Sequence, residues 1–278
     1  MTAADDIRDE LAAIGGLDDD AIDIARAALL LAALDRPGVA REPYHAHLDE
    51  IAAAVAARVP AGATHNLARR AGALAAVLGG EMGYAGDTLT YEDPQNANLM
   101  RVIDRRRGLP VALGILYLHA ARAQGWDAAG LNFPGHFLVR LERGPVRVIV
   151  DPFNGGREMA AEDMRSVLKT VAGAEAELRP EHYAPAGSRD VLVRLLSNIK
   201  LRAAQTDDAA RALEIIDRIL LIAPGQTAVL REAGLFHARL GNLKSAQEAL
   251  AAFIDRSGDA AMRAEAEKLL QQLRTRLN

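Results

Sequence analysis

The pattern of apolar and polar positions divides the chain into three stretches. Residues 1–83 read as successive helices, punctuated at Pro37-Gly38 and Pro60-Ala61-Gly62, where the backbone is expected to turn. Asp18-Asp19-Asp20 ahead of Ala21-Ile22-Asp23-Ile24 reads as an acidic helix start, because carboxylates favour the positive end of the helix dipole. Tyr84 to Pro94 is a polar, glycine-containing loop. A helix over about Gln95 to Arg107 follows, with Leu99, Val102 and Ile103 on one face. Gly108 suits the C′ position that ends it, and Pro110 suits the first position of the next helix, where a backbone N–H is not needed. That next helix, Pro110 to Gln124, is apolar nearly all round, the pattern of a helix buried in the middle of a domain, and Gly125 caps it.

Periodicity then switches from helix to strand. Strands are expected at about Ala128–Asn132, His136–Leu141 and Val146–Asp151, and a central helix on this antiparallel sheet makes an α+β core in a predominantly helical chain. Glu142-Arg143-Gly144-Pro145 has the residue types of a turn. If these four residues close the hairpin, Leu141 pairs with Val146 and His136 falls directly opposite Asp151. Directly opposed residues have Cβ atoms roughly 4.5–5.5 Å apart, within reach for a carboxylate to orient an imidazole.

The last third follows a different period. Ala212 and Ala246 lie 34 residues apart in matching contexts, and Ile216 with Leu250 and Ile219 with Phe253 keep the same interval. That is the tetratricopeptide period, and Ala223-Pro224-Gly225 falls at the expected inter-repeat turn. Residues 193–226 and 227–260 therefore read as two helix–turn–helix units, followed by a capping helix from Ala260 to Leu277. Two repeats are fewer than the roughly three that stand alone, so this annex is expected to pack on the α+β core. The resulting divisions are 1–83, the helical part of the core; 84–189, the part carrying His136 and Asp151; and 190–278, the repeats with their capping helix.

Composition narrows the function classes. The net charge of -4 over 278 residues is not the basic excess of a nucleic-acid footprint. The start, Met1-Thr2-Ala3-Ala4-Asp5-Asp6, is acidic where a signal peptide is basic, and the apolar run Ala27–Leu34 is far short of the ~20 residues that span a bilayer. There is no cysteine, hence no disulfide, thiolate nucleophile or thiolate-ligated metal. A cytoplasmic protein with no membrane association is the expectation.

Several side chains invite chemistry. His136 and Asp151 read as a dyad, as a buried polar pair, or as strand ends that happen to align, and Asp151-Pro152 also suits a turn start. Asn154-Gly155-Gly156 reads as a turn, since it does not lead a helix in the manner of a phosphate loop. Arg105 and Arg106 read as a solvated helix end; Arg107, nearest the break, reads equally as an anion or carboxylate clamp beside the Pro110 helix. His45-Ala46-His47 with Asp49 lacks the facing geometry of a metal site, because residues two apart on a helix do not share a face. His119 reads as a satisfied core or edge histidine and Trp126 as a packing anchor. No metal site and no cofactor is implied.

Four longer motifs carry a family likeness. Asn98-Leu99-Met100-Arg101-Val102-Ile103, Arg106-Arg107-Gly108-Leu109-Pro110, Leu131-Asn132-Phe133-Pro134-Gly135-His136-Phe137 and Asp151-Pro152-Phe153-Asn154-Gly155-Gly156 closely resemble the SirB1 family, a bacterial branch of the transglutaminase-like superfamily. The tail at 190–278 resembles the tetratricopeptide-like tail of that family. The resemblance implies a papain-like transglutaminase core with a helix-borne cysteine and with His and Asp on adjacent strands. His136 and Asp151 match the last two positions. The nucleophile should follow a glycine by two residues and precede another by fifteen; Gly108 and Gly125 place that position on Pro110. Arg107, Asn132, Gly135, Phe153 and Asn154, within or beside the same motifs, are the implied binding residues.

Proline offers no nucleophile, and no serine or threonine lies between Tyr91 and Ser166. A thiol at a helix N-terminus would have been activated; nothing here takes its place locally. The leading expectation is a non-catalytic transglutaminase-like protein, a pseudoenzyme that binds a peptide or protein or serves regulation. Two alternatives stay open: an amide or ester hydrolase in which His136 and Asp151 activate water, and a structural interaction protein whose cleft is closed. The substrate or partner and the oligomeric state are not written in the sequence.

Overall fold

The computed structural model describes residues 2–59 and 66–277, so the Pro60-Ala61-Gly62 turn lies outside the described residues. Helices α1 (Ala3–Gly15), α2 (Ile24–Ala33), α3 (Glu42–Arg58) and α4 (Leu67–Leu74) come first. After them run β1 (Ala85–Gly86), α5 (Leu99–Arg105), β2 (Arg107–Gly108), α6 (Pro110–Arg122), β3 (Asp127–Leu131), β4 (Leu138–Arg143) and β5 (Val146–Asp151). The chain continues with β6 (Arg157–Glu158), α7 (Ala161–Ala172), β7 (Pro185–Ala186) and α8 (Ser188–Gln205). The remainder is α9 (Ala209–Ile222), α10 (Ala228–Arg239), α11 (Leu243–Arg256) and α12 (Ala260–Leu277). Two compact units result: Met1–Ile7 with Leu17–Leu195, and Arg8–Gly16 with Leu196–Asn278.

In the first unit, α6 is the core element. Every residue from Pro110 to Leu118 is buried, as its all-round apolar pattern requires. It contacts α2, α3, α4 and α5 as well as β3 and β4. The sheet runs β6-β5-β4-β3-β7 with every neighbouring pair antiparallel. A second apolar cluster, including Leu131, Leu138, Ile149, Met164 and Leu168, brings in α7. With apolar neighbours on both faces, β4 is buried from Leu138 to Leu141, including Arg140, whose guanidinium donates to Tyr183 O and Glu142.

Local details differ from the sequence expectation at three places. The acidic run Asp18-Asp19-Asp20 does not open α2: Asp19–Ala21 is a separate 3-10 turn, and Asp23 caps α2 by accepting from Arg26 N. The Asp19 carboxylate instead accepts from Ser188 N at 2.7 Å and Arg189 N at 2.8 Å, where it satisfies the open N–H groups of α8. The single helix expected over 95–107 divides into a 3-10 turn at Pro94–Ala97 and α5, because Asn98 caps α5 through Arg101 N. Arg106, at φ +56°, takes the left-handed position expected of Gly108. Gly108 is needed for space, since a Cβ there would lie 2.8 Å from Val102 Cγ2.

The third difference is the hairpin. Its loop has two residues, not four: Arg143 pairs with Val146 across Gly144-Pro145, and Gly144 has φ +57°. Glycine at the first central position of a two-residue loop suits a turn that follows the strand twist. Leu141 therefore pairs with Val148, and β4 begins only at Leu138. His136 lies outside the ladder, in the connection from β3.

In the second unit the 34-residue interval corresponds to buried positions. Ala212 and Ala246, Ile216 and Leu250, and Ile219 and Phe253 are all buried. Gly234 of α10 lets Leu250 of α11 approach closely; a Cβ on it would sit 2.6 Å from Leu250 Cγ. Ala266, Leu270 and Leu273 of α12 join the same apolar cluster as Leu250 and Phe253 and complete its packing.

Candidate functional site

Although the expected register is absent, His136 and Asp151 meet: Nε2 of His136 is 2.9 Å from Asp151 Oδ1. Asp151 ends β5 with 1% exposure, and His136 is half-buried. The carboxylate also accepts from Phe153 N at 3.0 Å, Asn154 N at 3.4 Å and Asn154 Nδ2 at 2.7 Å. It thus caps the 3-10 turn Pro152–Asn154 while it holds the imidazole. Burial pushes the Asp151 pKa up, but the His136 hydrogen bond and charge, followed by the Asn154 bonds, outweigh it and hold the acid below the usual carboxylate range. In neutral imidazole with its proton on Nε2, Nδ1 is an acceptor or base for another molecule.

An aromatic wall borders the pair. The Phe153 ring stands edge-on to His136 at 6.0 Å, and Tyr91 stands edge-on to Phe153 at 6.0 Å. Phe153 fits there because β1 is bare: a Cβ on Gly86 would overlap three of its ring atoms. The loop carrying Tyr91 is fastened by Asp87, which accepts from Thr90 N and Thr90 Oγ1 and pairs with Arg105 at 2.8 Å. Asn96 adds a bond to Thr90 O. Leu89, in the same loop, is 94% exposed. The sequence pattern does not single out Tyr91, because the loop reads as polar connection; one aromatic in it is the available signal.

The other expected residues divide. Pro110 is the first residue of α6 and is buried, two positions after Gly108, whose strand partner Gly86 underlies Phe153. Phe153 and Asn154 contact the pair, the first edge-on to His136 and the second through Nδ2 to Asp151. Asn132 is exposed in the β3–β4 connection with Gly135. Gly135 has φ +65°, and a Cβ on it would lie 2.6 Å from both γ-carbons of Val171, so only glycine fits. Arg107 is exposed and donates to Gly83 O and Arg106 O, which makes it a brace for β2. Arg105 and Arg106 are not a solvated helix end. Arg105 pairs with Asp87, and Arg106 bonds Tyr84 and His47 and stacks 4.7 Å from the Tyr84 ring.

Tyr117 of α6 reaches the underside of the site. A Cβ on Gly156 would lie 2.7 Å from its hydroxyl. The hydroxyl is buried without a hydrogen-bond partner among the described residues. Burial, then the Asp151 charge, push its pKa far up, so the phenol stays protonated and supplies no nucleophile. Among the described residues no group of three His, Cys, Asp or Glu could hold a metal. His47 is engaged with Glu50 at 2.7 Å and Tyr84 at 2.9 Å, and His119 with Leu48 O at 3.1 Å. Trp126 is buried beneath the Arg70 guanidinium, 5.3 Å from the ring centre. No helix of the described residues is long and apolar enough to cross a membrane.

Comparison with known proteins agrees with this architecture. A sequence model described as the transglutaminase-like superfamily matches residues 42–197, and one for the tetratricopeptide repeat matches residues 199–271. A UPF0162 protein of Xylella fastidiosa (strain Temecula1) is 40% identical over 172 residues, 60% of either chain. A UPF0162 protein of Pseudomonas aeruginosa is 30% identical over 213 residues, 76% of either chain. F-box only protein 21 of Homo sapiens is 26% identical over 175 residues, 59% of this chain and 26% of that one. The matched stretch spans 60% of the length of the Xylella relative. No solved structure matches.

Proposed function

The chain belongs to the transglutaminase-like superfamily, and on that footing we propose that it is a non-catalytic member which binds a peptide or protein segment beside His136 and Asp151. The supporting observation is an intact, oriented pair without a nucleophile. Asp151 holds Nε2 of His136 at 2.9 Å, while the chain contains no cysteine and its buried helix starts on Pro110. In this reading Pro110 occupies the position of the superfamily's nucleophile, and the protein is a SirB1-like pseudoenzyme. General-base help contributes only when a group is there to deprotonate. What the pair retains is an oriented hydrogen-bonding imidazole beside the aromatic surface of Phe153 and Tyr91. Such a convergence of one polar group and apolar walls suits a peptide backbone amide with an adjacent apolar side chain.

In this reading residues 84–189 carry the site, and 17–83 complete its helical surroundings within the first unit. Residues 190–278 supply a tetratricopeptide-like surface, a repeat commonly used for protein interaction, and the cytoplasm is the proposed compartment. A second reading rests on the same bond: an imidazole held by a carboxylate can activate water for attack on an amide or ester.

One experiment separates the two. Protein captured by the full chain from its native cell extract is compared with capture by His136→Ala, and both forms are screened for amide and ester hydrolysis. Binding by wild type and at least a tenfold loss in the variant, at unchanged thermal stability and with no turnover, supports the binding reading. Turnover abolished by His136→Ala replaces it with the hydrolase; equal capture by both forms places the function elsewhere.

A further inference from the structure

His136 occupies its position without the usual means of holding a residue next to a sheet. It precedes β4, so no ladder pairing sets its backbone. Residues 134 and 135 form a turn, but among the described residues no backbone hydrogen bond of full geometry ties Phe133 to His136. Proline and a left-handed glycine shape that turn but do not bridge the carbonyls of Phe133 and His136.

One side chain does. Arg194 of α8 sends Nη2 to Phe133 O at 2.9 Å and also to His136 O, the carbonyls at the two ends of the turn. Its guanidinium lies 5.5 Å from the centre of the Phe137 ring. Phe137 is itself held without slack: Cβ atoms on Gly114 and Gly130 would overlap its ring. The planar guanidinium is therefore seated against a rigid aromatic face that fixes the direction of its Nη2 donors, and a lysine ammonium has no such plane. Burial lowers the Arg194 pKa, and a guanidinium keeps its charge in proteins.

We infer that Arg194 is the positioning residue of the His136–Asp151 pair: it clamps both carbonyls of the 133–136 turn and so sets the imidazole where Nε2 meets Asp151. This rests on taking that pair as the site, but it concerns the geometry of the pair alone. Val171 behind Gly135 and Phe153 beside the imidazole limit how far the ring moves when the clamp is lost.

The test is NMR of the histidine side chains in the full-length protein. His136 is assigned with His136→Gln, and Asp151→Asn gives the signature of a broken pair. Arg194→Gln should move the His136 ring resonances more than half of the way to their Asp151→Asn positions. His119, bonded to Leu48 O, should stay within its wild-type linewidth. Arg194→Lys should give an intermediate position. Wild-type His136 resonances in Arg194→Gln, with or without a loss of thermal stability, would overturn the inference. If Arg194→Gln does not fold, Arg194→Lys decides by the same resonances, and failure of both to fold assigns the arginine to general stability and likewise overturns it. Loss of partner capture in His136→Ala addresses the binding proposal, so the two ideas fail separately.

Discussion

In the repeat unit, buried Ala212, Ile216 and Ile219 return 34 residues later as buried Ala246, Leu250 and Phe253. Around His136 the direct neighbours are Asp151, Phe153 and Arg194, with Gly86 and Tyr91 against Phe153 and Val171 against Gly135, at no shared interval. The repeat unit builds its core from near-neighbour helices that pack by one rule. The site takes one contribution from each of several elements, and each is held by a different kind of contact. The first arrangement concentrates stability in its large apolar side chains. The second concentrates function in polar contacts and close approaches, whose loss costs the fold less than it costs the geometry.

That contrast orders the expected effects of substitution. Phe253→Ala should be the most destabilising, by about 3–5 kcal/mol, because it removes a fully buried aromatic from the shared core of α11 and α12. Urea denaturation measures it, and a loss below ~1 kcal/mol would show that the 34-residue interval marks a looser core than its burial indicates. Asp151→Asn should cost about 1.5–3 kcal/mol, because a buried carboxylate bonded to His136 and Asn154 loses its charge.

The same variant has a definite pH signature. The Asp151 pKa is lowered in the fold, so the unfolded chain takes up its proton first as pH falls. Its contribution is then full above the unfolded value of about 3.9 and is lost as pH drops through the lower folded value. The stability gap between wild type and Asp151→Asn should shrink as pH falls below the unfolded carboxyl value of about 3.9. A gap that widens with acid would reverse the sign assigned to this carboxylate.

Gly86→Ala should cost about 1–3 kcal/mol through overpacking against Phe153. It should also displace that ring from His136, visible as weakened ring-to-ring NOEs. Smallest in stability is Tyr91→Ala, expected within ~0.5 kcal/mol since the ring is 37% exposed. Partner capture should nevertheless fall in this variant; unchanged capture would remove Tyr91 from the binding surface and narrow the site to the pair and Phe153.

Legibility follows the same division. Helix α6, the repeat helices and strand β5 are readable because burial on one face or all round writes a period into the chain. The break in the helix expected over 95–107 is not, since the capping role of Asn98 and the left-handed Arg106 leave no periodic mark. The His136–Asp151 contact is expected through a four-residue hairpin loop that does not exist. The actual loop is two residues, and the contact forms because the chain before β4 bends to bring the imidazole over. Arg194 carries no signal at all. It lies 58 residues from His136 in a helix where an arginine reads as surface.

By itself the sequence determined the buried central helix, the antiparallel hairpin, the 34-residue repeat, and the absence of a thiol at the start of α6. These are properties of local periodicity and of which atoms the side chains possess. Only the tertiary structure decided the register of β4 on β5, the diversion of Asp19 to cap α8, and the ring of residues around His136. Each of those depends on which distant backbone groups are left without partners, and the chain must close around them before that is determined.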